Sequence, residues 1–408
     1  MSDARVPRHS HRQAPVDVCI VGGAGHVGLP LGLAFAGKGL SVVLYDLNEG
    51  ALDILQQRRM PFIEYGADDI LPQVLDRTLF LSSDPLDVSA ARVVILAIGT
   101  PVDEYLNPKL RDLLELIETL RPHLRASQTL VIRSTVYPRT SRQVKALLER
   151  DGQRWQVAYC PERIAQGHAL KELRELPQLV SALSDEAQAA ATALFSRIAP
   201  RVIAVSVEEA ELAKLFSNAW RYIQFAAANQ FYMMASELGV DFNRVRAAMV
   251  DGYGRAASLP TAGFAAGPCL LKDTLQLAAF NNNNFTLGHA AMMVNEGLPG
   301  FIVEGLRRRY DLAKMRVGIL GMAFKADIDD TRDSLSYKLG KILRFHGAHV
   351  GYSDEFATDP TFVSKEQLVQ SSDVVIIGVP HAAYRTLAIP SGVDVVDVWG
   401  VVRPGASI

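Results

Sequence analysis

Val16-Asp-Val-Cys-Ile-Val21 runs directly into Gly22-Gly23-Ala24-Gly25-His26-Val27-Gly28, and residues 29–37 continue as a helix of small side chains. This stretch decides the fold. Its first six residues are an apolar run of strand length, and Gly23, Gly25 and Gly28 are spaced as G-x-G-x-x-G. Strand, tight turn and helix form the context in which that spacing has a physical meaning. The glycines let the backbone turn and pass close to a pyrophosphate, and the helix N-terminus receives the anion. A second strand at 40–45 ends at Asp46, eighteen residues beyond Gly28. A carboxylate there accepts ribose hydroxyls and repels a 2′-phosphate, so NAD is the expected cofactor, held by Gly23, Gly25, His26, Val27, Gly28 and Asp46. A glycine-rich turn in some unrelated α/β domain is the bland alternative, and Asp46 counts against it.

Outward from this fingerprint, strands are expected at 93–97, 129–132, 155–159 and 202–205, most of them separated by helical stretches. That alternation predicts a doubly wound parallel sheet. Ligands sit beyond the carboxyl edge of such sheets. The strand ends there read Gly99-Thr100-Pro101, Ser134-Thr135-Val136-Tyr137-Pro138 and Cys160-Pro161-Glu162-Arg163. Thr100 and Thr135 offer hydroxyls to a cofactor or a water, unless they only serve their turns. Glu162 is a carboxylate placed where catalytic groups gather. An ion pair with Arg163 is its bland role, although adjacent strand residues point to opposite faces.

Composition bounds the rest. The chain has 408 residues, enough for two or three domains, and 49% hydrophobic with 21% charged residues describes a globular protein. A net charge of −2 supplies no basic field, so nucleic acid is not an expected partner. No apolar run is long enough to span a membrane. Residues 1–15 are polar with no apolar core, and read as a loose tail rather than a signal peptide. Three cysteines, Cys19, Cys160 and Cys269, point to free thiols in a reducing compartment, hence the cytoplasm.

Ser206-Val-Glu-Glu209 is a capping-box signal, and no breaker follows until Gly239. A helix of about 50 Å is expected, apolar on more than one face, as a spine between subunits or domains. A homodimer is therefore expected. Glu211, Lys214 and Asn218 share a face of it: either an exposed Glu211–Lys214 pair of little weight, or a lysine and an amide aimed into a cleft. A second helix spans about 241–249, and Tyr253-Gly-Arg255 leads on to Gly263-Phe-Ala-Ala-Gly-Pro-Cys269-Leu-Leu-Lys272-Asp273. Free cysteines are commonly buried and inert. Against that stand the small-residue approach, unsuited to a core element, and the lysine and aspartate close behind, which suit a thiolate nucleophile and a base.

Taken in order, GGAGHVG, GTP, STVYP, CPER, the Glu211/Lys214/Asn218 helix and GPCLLKD resemble the UDP-glucose/GDP-mannose dehydrogenase family, the nucleotide-sugar 6-dehydrogenases. The resemblance extends over nearly the whole chain from Val16 and leans toward the enzymes acting on UDP-N-acetylhexosamines. Its implied architecture is two doubly wound Rossmann-like parallel-sheet domains joined by a central helical domain with a long spine helix. The boundaries read as a tail at 1–15, an NAD-binding domain at 16–205, a central dimerisation domain at 206–311, and a nucleotide-sugar-binding domain at 312–408. In the last, strands are expected at 316–321, 350–353, 374–379 and 393–398, after a linking helix at 289–310. Gly318 and Gly321 do not complete a second fingerprint, so no second NAD site is assigned.

Phe324-Lys325, Asp330, Arg332 and Ser334 resemble the family's nucleotide-holding loop, and Lys325 and Arg332 suit a diphosphate. A surface cluster of these cations with Asp327, Asp329 and Asp330 is the plain alternative. His381 is given no catalytic role, and no metal is expected. The resemblance implies a four-electron oxidation of a sugar C6 alcohol to the acid, serving polysaccharide biosynthesis. In that reaction Cys269 forms a thiohemiacetal and then a thioester, with Lys214, Asp273, Asn218, Glu162 and Thr135 as the remaining catalytic set. It further implies Arg332 and Thr100 at the cofactor, and Glu162, Arg163, Lys214, Asn218, Tyr253, Arg255, Gly263, Phe324 and Lys325 at the substrate. Two places depart from the family pattern. Ala266-Gly267-Pro268 precedes the cysteine instead of a Gly-Gly pair, and Val180-Ser-Ala-Leu183 stands where a Gly-Gly pair is usual. Two other classes compete: a two-electron β-hydroxyacid dehydrogenase, which needs neither Cys269 nor the third domain, and a catalytically silent nucleotide-sugar binder.

Overall fold

The computed structural model describes residues 16–100 and 110–402; the expected tail and Pro101 lie outside the described residues. The chain divides into two compact units, Met1–Leu215 and Phe216–Ile408.

The first unit is built on eight strands: β1 (Val16–Val21), β2 (Val42–Tyr45), β3 (Leu79–Ser82), β4 (Ala91–Leu96), β5 (Thr129–Ile132), β6 (Gln156–Tyr159), β7 (Gln178–Ala182) and β8 (Val202–Ala204). They lie in the order β3-β2-β1-β4-β5-β6-β7-β8. Alternation along β1 explains why the sheet is covered on both faces. Val18 and Ile20 pack into one apolar cluster, Cys19 and Val21 into the other, as expected of a buried parallel strand. Both β3 and β7 escape the sequence reading, and β7 is also a correction to the all-parallel expectation. It runs antiparallel to β6, with Tyr159 opposite Ser181, while β8 is parallel to β7. The helix Gly28–Ala36 is buried along its whole length against this sheet.

The long helix is real: Val207–Glu237, 31 residues. Its start carries the expected reciprocal cap, with the Ser206 amide donating to Glu209 at 2.7 Å and the Glu209 amide donating to Ser206 Oγ at 3.4 Å. Gly239, in the left-handed region at φ +67°, ends it.

In the second unit the helices Phe242–Val250, Leu270–Phe280 and Thr286–Arg307 accompany a four-stranded parallel sheet. Its strands are β9 (Arg316–Leu320), β10 (His349–Ser353), β11 (Val374–Ile377) and β12 (Asp394–Val396), ordered β10-β9-β11-β12. Tyr232, Phe242, Leu298 and Ile302 share one apolar cluster with Val317, Ile319, Val374 and Val396. The segments expected as a central and a third domain thus share a core. No described helix is long and apolar enough to cross a membrane.

Candidate active site

In the first unit the turn after β1 meets its requirements closely. A Cβ at Gly28 would sit 2.3 Å from the Gly22 carbonyl oxygen, so only glycine fits there. Gly23 donates its amide to Tyr45 O at 3.1 Å and Gly25 to Gly22 O at 3.2 Å. The helix behind them starts after Val27 without a side-chain cap, the condition in which a helix N-terminus receives an anion. Asp46 accepts the Ala24 amide on Oδ2 and the Asn48 amide on Oδ1, both at 2.9 Å. It remains half-exposed, with lone pairs left over for a diol. These features fit a dinucleotide. His26 lies against Phe62 with ring centroids 3.9 Å apart, beside the Gln166 amide. Thr100, beyond β4, and Thr135, beyond β5, are both half-exposed, and Thr100 is already engaged by the protein.

Glu162 does not form the expected ion pair with Arg163. Its Oε2 is paired with Arg133, a wholly buried guanidinium that the sequence reading missed, and its Oε1 accepts the amides of Arg163 at 2.7 Å and Ile164 at 3.0 Å. The Arg163 guanidinium instead donates to the Pro177 carbonyl, and burial lowers its pKa. Ile132-Arg133-Ser134 reads as an ordinary strand end, and nothing in that spacing marks a buried cation.

Glu211 requires a correction. It does not pair with Lys214: it is wholly buried and accepts the Arg139 amide at 2.6 Å, the Ser141 amide at 3.0 Å and Ser141 Oγ at 2.7 Å. These donors cluster at the start of the helix Thr140–Leu148, where an acidic group is favoured. Burial raises its pKa, and those hydrogen bonds oppose the rise. Lys214, one turn before Asn218, is 8% exposed and has no hydrogen bond or ion pair among the described residues. Buried polar groups are ordinarily satisfied, so such an ammonium invites an anionic or hydroxyl ligand.

The second unit gathers the cysteine stretch. Cys269 is the one exposed thiol of the three and occupies the N-cap of Leu270–Phe280. Burial pushes the Cys160 thiol up to about 12 and Cys19 higher still, which removes both from nucleophilic chemistry. Asp273 donates its amide to the Cys269 carbonyl at 2.9 Å, so one helical turn separates thiol and carboxylate. Its side chain is fully buried: Oδ2 accepts Asn218 Nδ2 at 2.5 Å, while Oδ1 has only the Lys272 ammonium at 3.6 Å and no hydrogen bond. Asn218 is thus joined to the turn that carries Cys269, Lys272 and Asp273 across 55 residues of sequence.

The approach to Cys269 is tied to the loop after β9. Gly267, at φ +95°, lies against the Phe324 ring, where a Cβ would come within 2.5 Å of it. Arg332 forks onto Asp330, with contacts of 2.6 and 3.0 Å, as the surface-cluster reading anticipated. That hydrogen bond raises its pKa, burial opposes, and the nearby Cys269 sulfur contributes further. Lys325 is half-buried and engaged. Gly263 is held from both sides by Asn229, at 2.8 and 3.0 Å, and packs on the Trp399 ring. Tyr253 and Arg255 lie exposed around the short turn Gly254–Ala256, apart from that cluster of hydrogen bonds.

Three family models match consecutive parts of the chain, all of the UDP-glucose/GDP-mannose dehydrogenase family. They are the NAD binding domain at residues 16–199, the central domain at 208–297 and the UDP binding domain at 318–404. The UDP-N-acetyl-D-mannosamine dehydrogenase of Pyrococcus horikoshii is 28% identical over 378 residues, 90% of each chain. The UDP-glucose 6-dehydrogenase of Bacillus subtilis is 27% identical over 365 residues, 86% of this chain and 79% of its own. A solved UDP-glucose dehydrogenase of Pyrobaculum islandicum superposes with a TM-score of 0.88 at 28% identity, covering 98% of this chain and 97% of that one.

Proposed function

The chain belongs to the UDP-glucose/GDP-mannose dehydrogenase family, with NAD as cofactor, and from that premise we propose that it oxidises the C6 hydroxyl of a nucleotide sugar to the uronic acid in two successive two-electron steps. The preferred substrate class is a UDP-N-acetylhexosamine, with UDP-glucose the other candidate, as the named relatives divide between those two kinds of sugar. One observation carries the reading. Cys269 is the single exposed thiol, and one turn behind it stands a buried aspartate with an oxygen that makes no hydrogen bond. A dehydrogenase that stopped at two electrons would not need Cys269.

NAD+, when bound, supplies the hydride acceptor, twice per sugar; Gly23, Gly25, His26, Val27, Gly28, Asp46, Thr100 and Thr135 would hold it, with Arg332 a further candidate from the loop after β9. A water beside Asp273 takes the alcohol proton, and the Lys214 ammonium steadies the oxyanion at C6. The resulting aldehyde is attacked by the Cys269 sulfur, forming a C–S bond and a thiohemiacetal hydroxyl. Loss of the second hydride from that carbon gives the thioester. Water, oriented by Asp273 with Thr135, Glu162 and Asn218 around it, then breaks the C–S bond and returns the thiol. Covalent capture prevents the aldehyde from escaping or hydrating between the steps. Arg163, Tyr253, Arg255, Gly263, Phe324 and Lys325 remain the substrate-side candidates.

A homodimer accompanies this reading. Phe216, Trp220, Phe231 and Met234 are exposed along the long helix at helical spacing, with Leu238 just beyond its end, an apolar stripe suited to a second copy. The cytoplasm is the compartment that suits its free thiols.

The test is NADH release and product analysis across a panel of UDP-, GDP- and dTDP-sugars. Two NADH per uronate with at least one UDP-sugar is expected. A ratio of one would assign a two-electron dehydrogenase, and no turnover with any sugar would assign a binding protein.

A further inference from the structure

Arg133 is the largest side chain wholly buried among the described residues, and it carries a charge. It follows β5, and its guanidinium lies over the Phe195 ring at 5.0 Å. Nη1 donates to the Cys160 carbonyl and to Gln178 Oε1, each at 3.1 Å, and Nη2 donates to Glu162 Oε2. Gln178, the first residue of the antiparallel strand β7, donates in turn to the Pro161 carbonyl at 3.2 Å and the Leu179 carbonyl at 2.7 Å. Cys160, Pro161 and Glu162 are therefore gripped in succession by one cation and one amide.

Stability is a poor reason for such an arrangement. Exchanging a buried ion pair for apolar groups of similar volume is commonly neutral or stabilising, whereas removing one partner is costly. What the pair does provide is a fixed carboxylate. With Oε2 on Arg133 and Oε1 on two backbone amides, Glu162 has one orientation, and proton uptake would break an ion pair. The other charged groups around it are few: Arg163 beside it in the chain, and Glu172 across a small cavity, whose own carboxylate is occupied by the Ala165 amide.

We propose that Arg133, seated by Gln178, is a positioning residue that holds Glu162 in one orientation as a fixed anion during thioester hydrolysis. This rests on the role given to Glu162 in the proposed reaction. Glu162 then acts by its charge and position rather than by shuttling a proton, and Asp273, with its unbonded oxygen, is left as the group that handles the water's proton.

The experiment compares full-length Arg133→Met, Arg133→Lys, Glu162→Gln and the Glu162→Gln/Arg133→Met double variant, following kcat, KM and the acid limb of the pH–rate profile. Circular dichroism establishes that each is folded. Arg133→Met is expected to lower kcat about 10- to 100-fold with little change in KM, and to move the acid limb upward. Arg133→Lys should recover part of both. The double variant should lose no more than Glu162→Gln alone and should lack the acid-limb shift. If Arg133→Met fails to fold, the Arg133→Lys profile and the double variant carry the same comparison. Normal kcat and an unmoved limb in Arg133→Lys and Arg133→Met, with Glu162→Gln impaired, would overturn the positioning role alone. Multiplied losses in the double variant would do the same. Wild-type behaviour of Glu162→Gln would instead remove the role of Glu162 in the reaction, and this inference with it.

Discussion

The two sheets place an aspartate at the same station and use it differently. Asp46 follows β2 and Asp354 follows β10, each beside the first strand of its sheet, and each accepts amides from the turn after that first strand. In the first unit the turn is short and glycine-rich, the helix begins at once, and Asp46 stays half-exposed. In the second, the Asp354 side chain is wholly covered and its oxygens are taken up by the protein. It takes the amides of Met322, Ala323, Phe356 and Ala357, at 2.6 to 2.9 Å, and His381 Nε2 at 3.1 Å. His381 Nδ1 accepts the Asp327 amide at 2.9 Å, so Nε2 is the nitrogen that donates. One frame therefore presents its acid to a ligand, and the other spends it on fastening its own loop. The lesson is that a shared topology does not transfer a binding site. Unused lone pairs and an uncapped helix start mark the open copy.

Removing the fastened acid should produce the larger effect. Burial alone would raise the Asp354 pKa, but the His381 hydrogen bond and the backbone amides hold it down at about 2. Asp354→Asn should destabilise the protein by about 3 kcal/mol, a fall in melting temperature of about 10 °C for a unit of this size. NAD affinity should be nearly unchanged. Because the folded pKa lies below the ordinary value of 3.8, this stabilisation is whole above that pH and is lost as the pH falls through about 2. The gap between wild type and variant in denaturant titrations should therefore close over that window. A loss of NAD binding without a loss of stability would erase the distinction between the sheets.

Asp46→Ala should do the reverse, with a smaller effect. Calorimetry should show NAD affinity reduced about 10- to 100-fold, as expected for hydrogen bonds to a charged group, together with a weaker preference over NADP. The melting temperature should move by less than about 3 °C. A large melting shift with unchanged affinity would mean that Asp46 too is a structural acid.

Much of this contrast was legible in the sequence. The run 16–28 gives strand, turn and helix together, and the incomplete glycine pattern at Gly318 and Gly321 already argues against a second dinucleotide site. What stayed hidden was mostly side-chain pairing across distance. Gln178–Ala182 has polar and small residues among its apolar ones and sits antiparallel at the far side of the sheet, so no period marks it. Leu270–Phe280 follows a proline and carries no clear apolar stripe, which concealed the helix that displays Cys269. Glu211, read as a neighbour of Lys214 by spacing, points instead to amides seventy residues earlier. Arg133 lies at a strand end where an exposed arginine is the ordinary case, and only the fold shows it buried. The hydrogen bond between Asn218 and Asp273 joins residues 55 apart; the family resemblance put both in one catalytic set, but nothing in the sequence marked the pair.

The central claim is that Cys269 carries the sugar between its two oxidations. The most direct test is product analysis with full-length Cys269→Ser and the preferred UDP-sugar. The account predicts that no uronate accumulates and that the reaction halts with trapped or released aldehyde-level product. Uronate formed with two NADH per sugar at the wild-type rate by this variant would contradict it.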